Sequence, residues 1–163
     1  MRNLYEKGLN FTTYMFNLDE ERKLNIMKYY IPLNVNNEIK ESIKSINKRI
    51  KILGVIDLMC PDCHINLPLL EKMISINNNI ELRLVTKNML NDELKDYKED
   101  GVIRVPTFVF MDEDYNVIGA FIEKPKVVKN SDINTLEGSQ INMKYRAGKL
   151  VDETAKEFLS ILL

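Results

Sequence analysis

An apolar run at Ile52-Leu53-Gly54-Val55-Ile56 leads into Met59-Cys60-Pro61-Asp62-Cys63-His64, which opens a helical pattern at Ile65, Leu67, Leu69, Leu70, Met73 and Ile74. No other part of the sequence holds a cysteine or a histidine. A strand that delivers two cysteines, two residues apart, onto the first turn of a helix is the usual context of a dithiol redox centre. Unpaired N–H groups and the positive end of the helix dipole favour thiolate at the first cysteine, and the intervening pair leaves the sulfurs within bonding reach.

At 163 residues and 45% hydrophobic, the chain is sized for one domain whose core needs no disulfide staples. Lysine plus arginine number 23 against 24 acidic residues, which leaves no broad basic surface for nucleic acid. The charged start Met1-Arg2-Asn3-Leu4-Tyr5-Glu6-Lys7 does not read as a secretory signal, and no run reaches the roughly 18 apolar residues of a membrane span. The expected location is the cytoplasm, where a lone cysteine pair is catalytic, redox-sensing or metal-binding more often than structural.

In chain order, residues 1–16 carry Tyr5, Phe11, Tyr14 and Phe16 without a period and read as an irregular segment. Asn17 and Glu20 resemble a capping pair for a helix with Leu24, Met27 and Tyr30, ended by Pro32. Val35, Ile39, Ile43, Ile46 and Ile50 form one amphipathic stripe. A strand over 51–57, a helix over 61–76 and a strand over 80–85 make a βαβ unit with parallel strands. A short helix is expected from about Asn91 to Tyr97, then a hairpin of 107–111 with 117–122. Tyr97, Phe108 and Phe110 read as core, and Lys124, Lys126 and Lys129 as a solvated face. Residues 123–148 give no clear element beyond a possible short helix. Val151, Ala155, Phe158 and Leu162 mark a C-terminal helix.

Three separated features from about Lys51 to Glu123 resemble the thioredoxin family: Cys60-Pro61-Asp62-Cys63, the proline at 68 five residues after the second cysteine, and Gly101-Val102-Ile103-Arg104-Val105-Pro106-Thr107-Phe108, similar to the stretch around that family's cis-proline. The finer resemblance is to stand-alone bacterial thioredoxin-like proteins with a Cys-Pro-Asp-Cys motif. It implies an α/β thioredoxin fold, a central mixed sheet flanked by helices, with residues 1–50 a helical extension, 51–123 the core, and 124–163 a tail and helix.

The resemblance also implies roles. Cys60 is the exposed nucleophile and Cys63 the buried resolving thiol. Val105, Pro106 and Met59 border the substrate, while Pro61, Asp62, Asp57 and His64 support the pair. The redox group is the Cys60–Cys63 disulfide itself, with no further cofactor and no metal. The partners are a disulfide-containing protein substrate and a thioredoxin-reductase-like electron donor.

Departures from the family pattern are equally specific. The tryptophan usual before the first cysteine is Met59, and the buried aspartate six residues before it is Gly54. Asp57 is the nearest replacement as proton carrier; otherwise it is a solvated strand-end carboxylate. His64 is either a solvated first-turn residue or a charge that tunes the pair. Asp62 opposes thiolate at Cys60 and makes the disulfide less oxidising, which favours a reductase.

Rival readings remain from other classes. Cys60-Pro61-Asp62-Cys63-His64 also matches the Cys-x-x-Cys-His haem attachment pattern, which explains neither Pro68 nor Pro106. A non-catalytic binding or redox-sensing module is the main alternative; as a zinc site, two thiols and one histidine need ligands from a second chain.

Overall fold

The computed structural model describes residues 1–90 and 92–163. Four helices come first: α1 (Arg2–Lys7), α2 (Phe11–Phe16), α3 (Glu20–Tyr30) and α4 (Asn37–Lys44). The N-terminal segment is therefore two short helices rather than irregular chain; at six residues each they are too short to show a period. Asp19, not Asn17, caps α3 by accepting from the Arg22 N–H at 2.9 Å, while Asn17 terminates α2. The buried residue of α3 is Ile26, and Leu24 points to solvent, so the expected Leu24–Met27–Tyr30 face is not the one that packs. The stripe after Pro32 is fully buried, although only Ile39 and Ile43 lie in α4 and Ile50 already begins the first strand.

That strand, β1 (Ile50–Ile56), is followed by α5 (Pro61–Ile76) and β2 (Ile80–Thr86). β1 and β2 pair in parallel, with Gly54 opposite Leu84. After 3-10 turns at Lys87–Met89 and Lys95–Tyr97 come β3 (Lys98–Glu99) and β4 (Val102–Ile103), a minimal antiparallel pair. The helix expected over 91–97 is thus only the turn at its end; Asn91 lies outside the described residues. Tyr97 is half-buried at the edge of the core.

β5 (Thr107–Met111) and β6 (Val117–Ile122) form the expected hairpin, and β5 also pairs antiparallel with β1. The central mixed sheet has the order β2-β1-β5-β6. Leu9 exchanges both backbone hydrogen bonds with Leu84, at 2.9 and 2.8 Å, and covers the outer edge of β2. The chain closes with α6 (Lys126–Lys129), α7 (Leu136–Arg146) and α8 (Val151–Leu162). Two helices therefore occupy the stretch 123–148 that the sequence leaves without a clear element. Of the expected lysine face there, Lys129 is paired with Glu99 at 2.5 Å.

Side chains alternate across the sheet, as strand geometry demands. Ile50, Ile52, Ile56, Phe108 and Phe110 face the layer built from α3, α4, α5 and α8, where Phe121 and Phe158 complete an aromatic cluster. Leu53, Val55, Val109 and Met111 face the opposite layer, covered by Leu4 and Tyr5 of α1 and by Leu94 and Ile103. Gly54 sits where a Cβ would lie 2.8 Å from Leu84 and 3.2 Å from the Phe108 ring, so the close approach of these two side chains requires glycine. No helix among the described residues is long and apolar enough to cross a membrane.

Candidate functional site

The end of β1 delivers Asp57, Leu58 and Met59 to the loop, and Cys60 becomes the N-cap of α5 with an extended backbone. Pro61 follows at the first helical position, where its missing N–H leaves nothing unsatisfied. Helical geometry then carries Cys63 inward: Cys60 is half-buried, whereas Cys63 is 2% exposed and packs in the main core. Both thiols are free.

Two surroundings act on the Cys60 sulfur. As a thiol it donates to the Val105 carbonyl at 3.2 Å. As a thiolate it accepts from the Cys63 thiol and from the backbone N–H groups of Cys63 and Asp62, and these bonds, the first most of all, bring its pKa down to about 7 against partial burial and the Asp62 charge. Cys63 moves the opposite way. Burial in the core, chiefly, together with a thiolate at Cys60, pushes its pKa far up.

The other expected residues differ in how they stand toward the pair. The Val105–Pro106 peptide is cis, Pro106 is buried, and its carbonyl accepts from Glu123 N–H at 2.7 Å. Asp57 meets Cys63 through its backbone, whose N–H donates to the Cys63 sulfur at 3.4 Å; its carboxylate instead accepts from Met59 N–H at 2.9 Å and holds the loop. His64 is half-buried and bonded through Nε2 to the Leu58 carbonyl at 2.9 Å, so it is neither freely solvated nor turned toward the sulfurs. Met59 is 71% exposed, with Arg22 of α3 beside its sulfur. Met59, Pro61 and His64 border a groove of about 360 Å³ shared with Arg22, Asn25 and Tyr29 of α3. Among the described residues no group of three or more His, Cys, Asp or Glu side chains is placed to hold a metal ion.

The charge of Asp62 opposes thiolate at Cys60, as the sequence reading expects; what that reading does not show is how the carboxylate is held. Its carboxylate is buried rather than free beside Cys60, and it pairs with Arg146 at the end of α7, Oδ1 to Nη1 2.9 Å. Burial raises its pKa, while Arg146 and Lys124 oppose that rise. Asn66, one helical turn on, donates through Nδ2 to the Asp62 carbonyl at 3.0 Å and to the Tyr145 hydroxyl at 2.8 Å. Tyr145, Arg146 and Asn66 escape sequence reasoning because they are scattered polar residues, two of them in a helix without an apolar stripe. Tyr14 of α2 is a further unforeseen neighbour, its phenol pushed up by burial and by the charges of Cys63 and Asp57.

Known proteins share this architecture. A structure of a protein of unknown function from Pseudomonas aeruginosa is 24% identical, covers 98% of this chain and 95% of its own, and superposes with a TM-score of 0.87. An HIV epitope scaffold matches at 22% identity over 98% of this chain and 95% of its own, TM-score 0.84. No curated protein sequence matches. At the level of family, the sequence matches the description Thioredoxin over residues 8–136, a span that runs from the N-terminal helices through the cysteine pair and the β5–β6 hairpin to the start of α7. With that match across most of its length and a mixed sheet flanked by helices, the chain belongs to the thioredoxin family.

Proposed function

We propose that the protein is a cytoplasmic thiol–disulfide oxidoreductase that reduces protein disulfides through Cys60 and Cys63. The observation that carries this reading is the asymmetry of the pair: a half-exposed sulfur at a helix N-terminus with its pKa near 7, beside a buried thiol kept protonated. The Cys60 thiolate attacks one sulfur of a substrate disulfide, forming a mixed disulfide and releasing the first substrate thiolate, which takes a proton from solvent. Cys63 then loses its proton and attacks the Cys60 sulfur. The Cys60–Cys63 disulfide forms and the second substrate thiol leaves, so two electrons have passed to the substrate. A thioredoxin-reductase-like donor returns the protein to its dithiol form.

Direction follows from thiolate stability. A nucleophilic cysteine with a pKa near 7 stabilises the reduced form far less than one near about 3.5, the value in strongly oxidising enzymes. An extended substrate would run along Val105 and Pro106, next to the Cys60 sulfur, while Met59 is exposed on the side of the pair that faces α3. The test is the reduction potential of the pair, measured in graded thiol buffers by trapping free thiols with a mass tag. A two-electron transition at or below about −230 mV agrees with a reductase. A value near about −120 mV makes it an oxidant, and a pair that never forms an intramolecular disulfide leaves a docking or redox-sensing module.

A further inference from the structure

Asp62 lies between the two cysteines in sequence, yet its side chain is only 8% exposed and is bound from 84 residues away. The binding group, Arg146, is the last residue of α7 and lies beyond residues 8–136, the extent of the family match. The ring of Tyr145 packs in a small apolar cluster with Ile65 of α5, Val128 and Leu150, whereas Arg146, next in sequence, has a side chain 40% exposed that the cluster does not hold. What carries the contact on to Asp62 is polar. Tyr145 is bonded to Asn66, and Arg146 to Asp62.

We propose that Arg146 is a positioning residue for the nucleophile: by clamping the Asp62 carboxylate against α7, it keeps that charge from turning toward the Cys60 sulfur. The inference rests on the thiol-exchange reading of the pair. A carboxylate on the residue between the cysteines repels a thiolate at the first, and the repulsion grows as the two approach. The groups facing Asp62 are Arg146 and Tyr145 from α7, and Lys124 and Glu123 after β6. Those facing Cys60 are Cys63, Asp62 and the Val105 carbonyl. His64 and the Asp57 carboxylate are held by loop backbone, at Leu58 and Met59 respectively. Among the described residues, Arg146 is thus the one cation bonded to the carboxylate that lies between the two cysteines in sequence.

The test is a pH titration of thiolate absorbance in the reduced full chain, for the native protein, Arg146→Gln, Asp62→Asn and the double variant. Arg146 has a side chain 40% exposed at a helix end, so its replacement leaves the core intact, which circular dichroism verifies. Arg146→Gln is expected to raise the Cys60 midpoint by on the order of half a pH unit, and Asp62→Asn to lower it. In the Asp62→Asn background the arginine replacement should shift the midpoint by less than half as much, because the carboxylate it positions is gone. A midpoint that is unchanged or lowered by Arg146→Gln, or raised equally in both backgrounds, overturns the assignment. Failure of the thiol-exchange reading registers separately, as absence of turnover with a disulfide substrate in the native protein, since thiolate titration needs no turnover.

Discussion

The sulfur of Cys60 lies 3.2 Å from the carbonyl oxygen of Val105, so the first turn of α5 and the segment entering β5 meet at one atom. A carbonyl oxygen there favours the thiol and disfavours the thiolate. The ionised form depends on the donors of the opposite side: the Cys63 thiol and two backbone N–H groups.

Alkylation should read this balance directly. Below pH 7 the rate at Cys60 is expected to rise about tenfold per pH unit with the thiolate fraction, then level off above its pKa of about 7. Cys63 should stay unmodified through pH 9, as peptide mass mapping of the reduced protein would reveal.

Substitution of one thiol at a time separates the two roles. Cys63→Ser is expected to accumulate a mixed disulfide between Cys60 and a disulfide substrate, visible on a non-reducing gel and lost on adding reductant. Cys60→Ser should form no such adduct with the buried thiol and should abolish turnover.

Reduced protein should lose stability as the pH climbs past about 9. The folded-state pKa of Cys63 is raised above its ordinary 9.0, so its contribution is fully present below that value and is lost as the unfolded chain ionises while the folded one does not. Each such group steepens the decline by about 1.4 kcal/mol per pH unit. Tyr5, Tyr14 and Tyr145, all raised by burial, join above pH 10. Denaturant unfolding from pH 8 to 10.5 should give a shallower decline for Cys63→Ala than for the native chain.

Gly54→Ala places a methyl group 2.8 Å from Leu84 and 3.2 Å from Phe108, both walled in by neighbours. Overpacking of this kind costs about 1–3 kcal/mol, and the denaturation midpoint should fall accordingly. A result within 0.5 kcal/mol of native, roughly the range of surface substitutions, would mean the sheet relaxes there with ease.

Tyr145→Phe removes the hydroxyl that accepts from Asn66 at 2.8 Å. A loss of about 1–2 kcal/mol is expected, since the buried Asn66 amide gives up a partner. Equilibrium unfolding of the variant measures it.

The elements that the sequence makes legible are those whose pattern is dictated locally. Pro61 fixes the start of α5 and its apolar positions carry it to Ile76, while the β5–β6 hairpin is set by a short polar connection between two apolar runs. Harder to read is α7, because it has no continuous apolar stripe: Tyr145 alone packs deeply, beside Ile65 of α5, and Arg146 is held by its pair with Asp62. The same limit applies to Asp62: its spacing from the cysteines is visible in the chain, but its counterion, 84 residues on, is a matter of tertiary contact. Asp57 is similar, since alternation along a strand cannot say that its amide, rather than its carboxylate, meets Cys63.

The close packing at Gly54 also bears on proton transfer. It lies in the layer that holds Cys63, at the position where the family keeps an acid, and Leu84 and Phe108 leave no room for one. On the thiol-exchange reading, the proton leaving Cys63 has no carboxylate waiting at that point in the sheet. A carboxylate whose charge reaches Cys63 comes instead from the end of the same strand, at Asp57, so in this chain the acid has moved three residues along, from inside the sheet to the loop that leads into α5.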